Sequence, residues 1–169
     1  ADLYVYFFER GINLLREGGT LAFITSNKYF RAAYGEKLRA YLGENTSIKE
    51  IVDFGDAGEV FEAIAYPSIV VAVKTKPNPE AATVRALVWQ REARLDQVDQ
   101  EMEGKSSLLL TQKTLTPEGW RFLMPSEAKL LDKLRAGGQP LGEYVKGRFY
   151  RGILTGFNEA FVVDRPTRD

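Results

Sequence analysis

Residues 47–76 read SIKEIVDFGDAGEVFEAIAYPSIVVAVKTK, and the route the chain takes from Phe54 to Ser68 decides the fold. SIKEIVDF (47–54) carries Ile48, Ile51, Val52 and Phe54, the apolar content of a buried strand. SIVVAVKTK (68–76) is a second strand, rich in β-branched residues. The segment between them opens as an acidic loop bracketed by Gly55 and Gly58 and leaves no room for a crossover helix. The second strand is therefore predicted to run antiparallel to its neighbour. An ordinary turn would be polar, set by glycine, asparagine or proline. Here Val60, Phe61, Ile64 and Tyr66 follow instead, so Phe61 reads either as a core ring or as the lining of a site.

Upstream, ADLYVYFFERGINLLREGG places Leu3, Phe7, Phe8, Ile12, Leu14 and Leu15 at helical spacing, with Asp2 as N-cap and Gly18–Gly19 as a left-handed stop. TLAFIT (20–25) has the composition of a strand buried on both faces. A loop at Ser26–Asn27–Lys28 then feeds a second helix over about 35–42. Helix, strand, helix, strand is the order of a doubly wound parallel α/β sheet, here with an antiparallel last strand. Ligands of such sheets bind beyond the carboxyl ends of the strands, which places Ser26–Asn27–Lys28 and the loop around Phe61 at a functional rim.

Downstream, ATVRALVW (82–89) is a candidate fourth strand. Residues 89–124 then read as a connector, with a short polar helix bearing Leu95, Val98 and Met102 and an irregular SSLLLTQKTLTPEGWRF. A further segment begins at PSEAKLLDKLRAGG, with Ser126 as N-cap, Leu130, Leu131 and Leu134 as the apolar stripe, and Gly137–Gly138 as the stop. The tail, LGEYVKGRFYRGILTGFNEAFVVD, reads as strands around a turn at 155–158.

The 169 residues hold 23 Lys plus Arg against 23 Asp plus Glu, so net charge names no partner. Local charge says more. Lys28, Arg31, Lys37 and Arg39 face only Glu36 across 28–41, and Lys146, Arg148 and Arg151 face no acid across 145–158. Residues 44–62 are acidic. A polyanion would touch the first two stretches and avoid the third, unless all are solvated faces. With no cysteine and no histidine, disulfides, thiolate zinc sites, cysteine nucleophiles and histidine-based proton transfer are excluded. No acidic set has metal-site spacing, and neither a P-loop nor a dinucleotide-type glycine loop occurs. No apolar run approaches the ~20 residues that span a bilayer, and no signal peptide is visible, so a cytoplasmic location is expected. The chain opens without methionine, directly on a helical pattern, as a piece of something longer would.

Three blocks in order carry a resemblance: ADLYVYFFERGINLLREGGTLAFITSNKYFRAAYGEKLR, IKEIVDFGDAGEVFEAIAYPSIVVAV and GRFYRGILTGFNEAFVVD. Together they resemble the adenine-N6 DNA methyltransferases of Type II restriction–modification systems, including Type IIG enzymes that fuse nuclease, methyltransferase and specificity parts. The resemblance implies the C-terminal part of a Rossmann-like, S-adenosylmethionine-dependent methyltransferase domain (1–88) and a connector (89–124). It also implies the start of a TaqI-like target-recognition domain (125–169), mixed α/β in fold. The implied substrate is double-stranded DNA.

In this family the block matching GEVFEAIAYPSIVVAV holds a phenylalanine that stacks on the flipped target adenine, and Phe61 takes that position. The resemblance makes Lys28, Arg148 and Arg151 candidates for phosphate contact. Asn158 is a base-edge candidate or, in Thr-Gly-Phe-Asn, a turn residue. The family's Asn-Pro-Pro-Tyr and glycine-rich cofactor motifs do not occur. No catalytic or cofactor-binding residue is therefore expected within these residues, and S-adenosylmethionine is expected for the parent enzyme only. The rival readings are a non-catalytic DNA-specificity or assembly subunit, and a methyltransferase acting on RNA or protein.

Overall fold

Among the described residues, apolar runs become five strands: β1 (Thr20–Ser26), β2 (Thr46–Asp53), β3 (Pro67–Lys74), β4 (Thr83–Val88) and β5 (Ser107–Thr111). In this computed structural model the described residues are 2–55, 66–89, 95–104, 106–148 and 150. They fall into two units, Ala1–Met124 and Pro125–Asp169. Phe61, Arg151, Asn158 and the turn at 155–158 lie outside the described residues.

The sheet has the order β1-β3-β2-β4-β5. As expected, β3 runs antiparallel to β2; it also runs antiparallel to β1, and so lies between them. The fold is mixed α/β, but the sheet is mostly antiparallel, since β4 alone pairs in parallel, with β2, and β5 closes antiparallel on β4. The physical reason is satisfaction of main-chain groups: β1 and β2 point the same way with a strand's width between them, and β3 bonds the facing edges of both.

Three other expectations change. TLAFIT is not buried on both faces, because Leu21, Phe23 and Thr25 turn inward while Ala22 and Ile24 are exposed. Asp2 does not cap α1 (Tyr4–Leu14): Leu3 is already helical and occupies the N-cap position, so Asp2 offers only its carbonyl, to Val5 N–H at 3.2 Å. Residues 89–124 are not a bare connector. They supply α3 (Val98–Glu103) and β5, in which Leu108 and Leu110 turn inward and Leu109 outward. They also supply the fully buried Trp120, stacked on Phe30 with centroids 5.6 Å apart.

The core forms where α1 and α2 (Glu36–Asn45) cover the sheet. Phe8 and Ile12, one turn apart on α1, meet Leu38 and Leu42 of α2 over Ile48, Ile51 and Val70. A bulge between Ile48 and Glu50 interrupts the β2 ladder. The Gln112 side chain repairs it, accepting from Ile48 N–H at 3.0 Å and donating to the Thr46 carbonyl at 2.8 Å. Gly18 has φ +76°, and Gly18 and Gly19 pair their main chain with Lys74, which turns the chain into β1.

In the second unit, α4 (Pro125–Gly137) starts on proline, whose fixed φ suits a first helical position, so Ser126 lies inside the helix rather than capping it. Leu130 and Leu134 are exposed. LGEY forms the short helix α5 (Leu141–Tyr144) rather than a strand. No described helix is long and apolar enough to cross a membrane.

Candidate nucleic-acid interface

β1 and β2 end side by side across the start of β3, and their carboxyl ends make the rim that the sequence pointed to. Asn27, first residue after β1, donates through Nδ2 to Asp53 Oδ1 at 2.7 Å, and Gly55 N–H reaches the same oxygen at 3.0 Å. The Asn27 main-chain N–H bonds the Tyr66 carbonyl at 2.7 Å, and Phe54 N–H bonds the Pro67 carbonyl at 3.1 Å. These bonds fix Gly55 and Tyr66, the two roots of the segment that carries Phe61. Tyr66 is held at φ +62°, a left-handed conformation that L residues rarely adopt and that the surrounding contacts must enforce.

Beyond Ser26 the chain winds into a 3-10 turn, Asn27–Phe30, sealed by Arg31 N–H to the Lys28 carbonyl at 3.2 Å. With about three residues per turn, positions i and i+3 eclipse, so Lys28 and Arg31 rise from one side of the turn. Both are exposed. They border a cavity of about 340 Å³ whose walls are Asn27, Phe30, Ala32, Tyr34 and Tyr66. Tyr34 is braced by a 2.6 Å bond between its hydroxyl and that of Tyr4, whose phenol is pushed above the usual range by burial and then by that bond.

The floor of this turn hangs on Arg39. Although it belongs to the basic stretch 28–41, it is only 2% exposed and its guanidinium is turned to main-chain carbonyls. Its guanidinium donates to the carbonyls of Tyr29, Ala32 (3.0 Å) and Pro117 (2.7 Å). Gly35 lets the next turn close over it, since a Cβ there would stand 2.4 Å from the Tyr29 carbonyl oxygen.

Of the site residues taken from the sequence, Lys28 stands exposed at the cavity, and Arg148 is exposed in the second unit. Arg31, Tyr34, Tyr66 and Asp53 were missed. The i, i+3 pair Lys28/Arg31 was readable only with the 3-10 turn in view, and nothing in the sequence marks Tyr66 as left-handed. Among the described residues no cluster of acidic side chains is placed to hold a metal.

Residues 1–61, which build α1, β1, the rim turns, α2 and β2, match the family described as the Eco57I restriction-modification methylase. The fold is shared with the crystal structure of the type IIG restriction endonuclease BpuSI, at a TM-score of 0.53 and 17% identity, covering 79% of this chain and 17% of that one. Particular relatives are similarly named. The chain is 41% identical over 88 residues to the Type II methyltransferase M.BstVI of Geobacillus stearothermophilus, covering 52% of this chain and 15% of the relative. It is 27% identical over 179 residues to the Type II methyltransferase M.PaeR7I of Pseudomonas aeruginosa, covering 100% of this chain and 30% of the relative. The resemblance to Type II restriction–modification methyltransferases is borne out, and the chain spans less than a third of the length of either relative.

Proposed function

We propose that the chain is part of a site-specific DNA methyltransferase of a Type II restriction–modification system, one that moves the methyl group of S-adenosylmethionine to adenine N6 in duplex DNA. One observation carries the reading: the matched stretch contains Asn27, Lys28, Arg31, Tyr34 and Asp53, which form the rim together with Tyr66, and Lys28 stands there beside the roots of the segment bearing Phe61. Extruding a base sacrifices its stacking neighbours, and an aromatic face returns ~1–3 kcal/mol of that. Phe61 is assigned that face. Lys28, Arg148 and Arg151 are assigned to phosphates, and Asn158 to a base edge or a turn. Residues 1–88 are assigned to the methyltransferase domain, residues 89–124 to the stretch that completes its sheet with β5, and residues 125–169 to the opening of the target-recognition domain.

The rim cavity does not fit the cofactor. Two exposed cations, Lys28 and Arg31, oppose a sulfonium, and Asp53 Oδ1 is already taken by Asn27 and Gly55. The S-adenosylmethionine pocket is assigned to the rest of the enzyme.

The test is methyl transfer by the full-length polypeptide from labelled S-adenosylmethionine to duplex DNA, followed by nucleoside analysis. N6-methyladenine is expected. Label on cytosine, RNA or protein would refute adenine specificity or the DNA substrate, and site-specific DNA binding without transfer would favour the specificity-subunit reading. For Phe61, Phe61→Ala should weaken capture of an extruded 2-aminopurine by roughly five- to hundredfold with the melting temperature kept. A collapsed melting temperature with unchanged base-flipping fluorescence would return Phe61 to the core.

A further inference from the structure

We infer that the rim cavity is a nucleotide subsite, holding one unstacked nucleotide next to the methylated one, with its phosphate on Lys28 and Arg31 and its base between Tyr34 and Tyr66. The inference rests on the proposed DNA methyltransferase reading.

Size sets the first limit. At about 340 Å³ the cavity lies at the small end of ligand sites, which run from ~300 to ~1,000 Å³, so it suits a single nucleotide unit rather than a duplex edge. The second limit is chemical. The walls are mostly apolar or aromatic (Phe30, Ala32, Tyr34, Tyr66), and among the described lining residues the two charged side chains are both cations. That combination fits a flat aromatic body bearing an anion. Among the described residues neither Lys28 nor Arg31 has a carboxylate within salt-bridge distance, so both are available to a phosphate. Arg31 offers a planar fork that matches phosphate oxygens in pairs, and Lys28 offers a point charge one turn away.

One aromatic wall is braced, and the backbone of the other is set, before any ligand arrives. Tyr34 is tied through its hydroxyl to Tyr4, and the Tyr66 main chain, though not its ring, is held by the Asn27 N–H at a left-handed φ. A braced ring such as Tyr34 loses little freedom on binding, and stacking on aromatic rings is tolerant of base identity. The methylated adenine itself must meet a sulfonium, which the two cations oppose. The nucleotide held here is therefore a neighbour of the target.

Photo-crosslinking on the full-length polypeptide tests this, with 5-iodo-2′-deoxyuridine placed in turn at the target position and on either side of it. Crosslinks to Tyr34 or Tyr66 are expected from a flanking position and not from the target position, with loss on Tyr66→Ala and retention on Tyr66→Phe. The double variant Lys28→Ala/Arg31→Ala should lower the magnitude of the log K against log salt slope by about 1.8, two contacts at ~0.9 each. Both side chains are exposed, so its melting temperature should match the parent's. DNA binding and methylation with crosslinks only elsewhere, or from the target position, would overturn the subsite and leave the proposed function standing. An unchanged salt slope would overturn the phosphate assignment. Absence of both DNA retention and methylation would sink the two readings together.

Discussion

Replacing Arg39 with methionine keeps the length of the apolar stem and removes the guanidinium that carries the rim turn. Three main-chain carbonyls, of Tyr29, Ala32 and Pro117, lose a charged donor. Hydrogen bonds to charged groups contribute ~1.5–3 kcal/mol each, giving an additive ceiling of ~4.5–9 kcal/mol. The bonds to Ala32 and Pro117 are only partly buried, so water recovers part of that sum, and the expected loss is ~3–5 kcal/mol. With a urea m-value near 2 kcal/mol/M, the unfolding midpoint moves down by about 2 M. Arg39→Lys should recover less than half, because an ammonium cannot fork to carbonyls lying in different directions. Urea unfolding followed by tryptophan fluorescence is well suited, since Trp120 packs on Phe30 beside the Tyr29 carbonyl. A loss under ~1 kcal/mol for Arg39→Met, or full recovery by lysine, would refute the assignment of the guanidinium as the support of the rim.

Gln112→Leu should cost ~2–4 kcal/mol in the same assay, because it strands the Ile48 N–H and the Thr46 carbonyl inside a buried bulge; a neutral result would mean that the bulge closes by itself. Burial holds the Tyr4 and Tyr29 phenols above their usual range, so the neutral form is favoured by the fold. Their contribution is full below the unfolded phenol value of ~10 and is lost as pH rises through the folded values. Absorbance at 295 nm should show these two phenols ionising only with cooperative unfolding, and early, reversible ionisation of both would contradict their burial. Calorimetric titration of this chain with S-adenosylmethionine should give no saturable heat, and stoichiometric binding would overturn the assignment of the cofactor pocket to other parts of the enzyme.

Much of the sheet was legible because its strands announce themselves. β2 and β3 are short β-branched runs, and the segment between them leaves no room for a crossover helix. What stayed hidden was the place of β3 between β1 and β2, which depends on the edges that pairing leaves open. β5 was missed because Leu108, Leu109 and Leu110 form an undifferentiated run with no β-branched residue. Its alternation appears only once β4 is beside it. Trp120 was passed over for a similar reason: GWRF has no period, and its burial comes against Phe30, far away in sequence. At the rim, the charge of Lys28 and the position of Asn27 could be seen in advance. The Asn27–Asp53 bond joins two strand ends, and local pattern carries no trace of it. Arg39 shows the opposite failure, because composition counts every arginine as a surface cation and burial reverses its role.

The free edge of β1 has a practical consequence for anyone handling this chain in isolation. Thr20–Ser26 bonds β3 on one side, and among the described residues no strand pairs with the other. Ile24 is 42% exposed on it, and α1 leaves Leu3, Phe7 and Leu14 in the open. An unblunted edge beside an apolar helix face is a template for any extended segment, including one from a second copy. Concentrated samples should therefore scatter light and drift in apparent mass, and Ile24→Lys, which puts a charge where a sticky strand would dock, should hold them monodisperse.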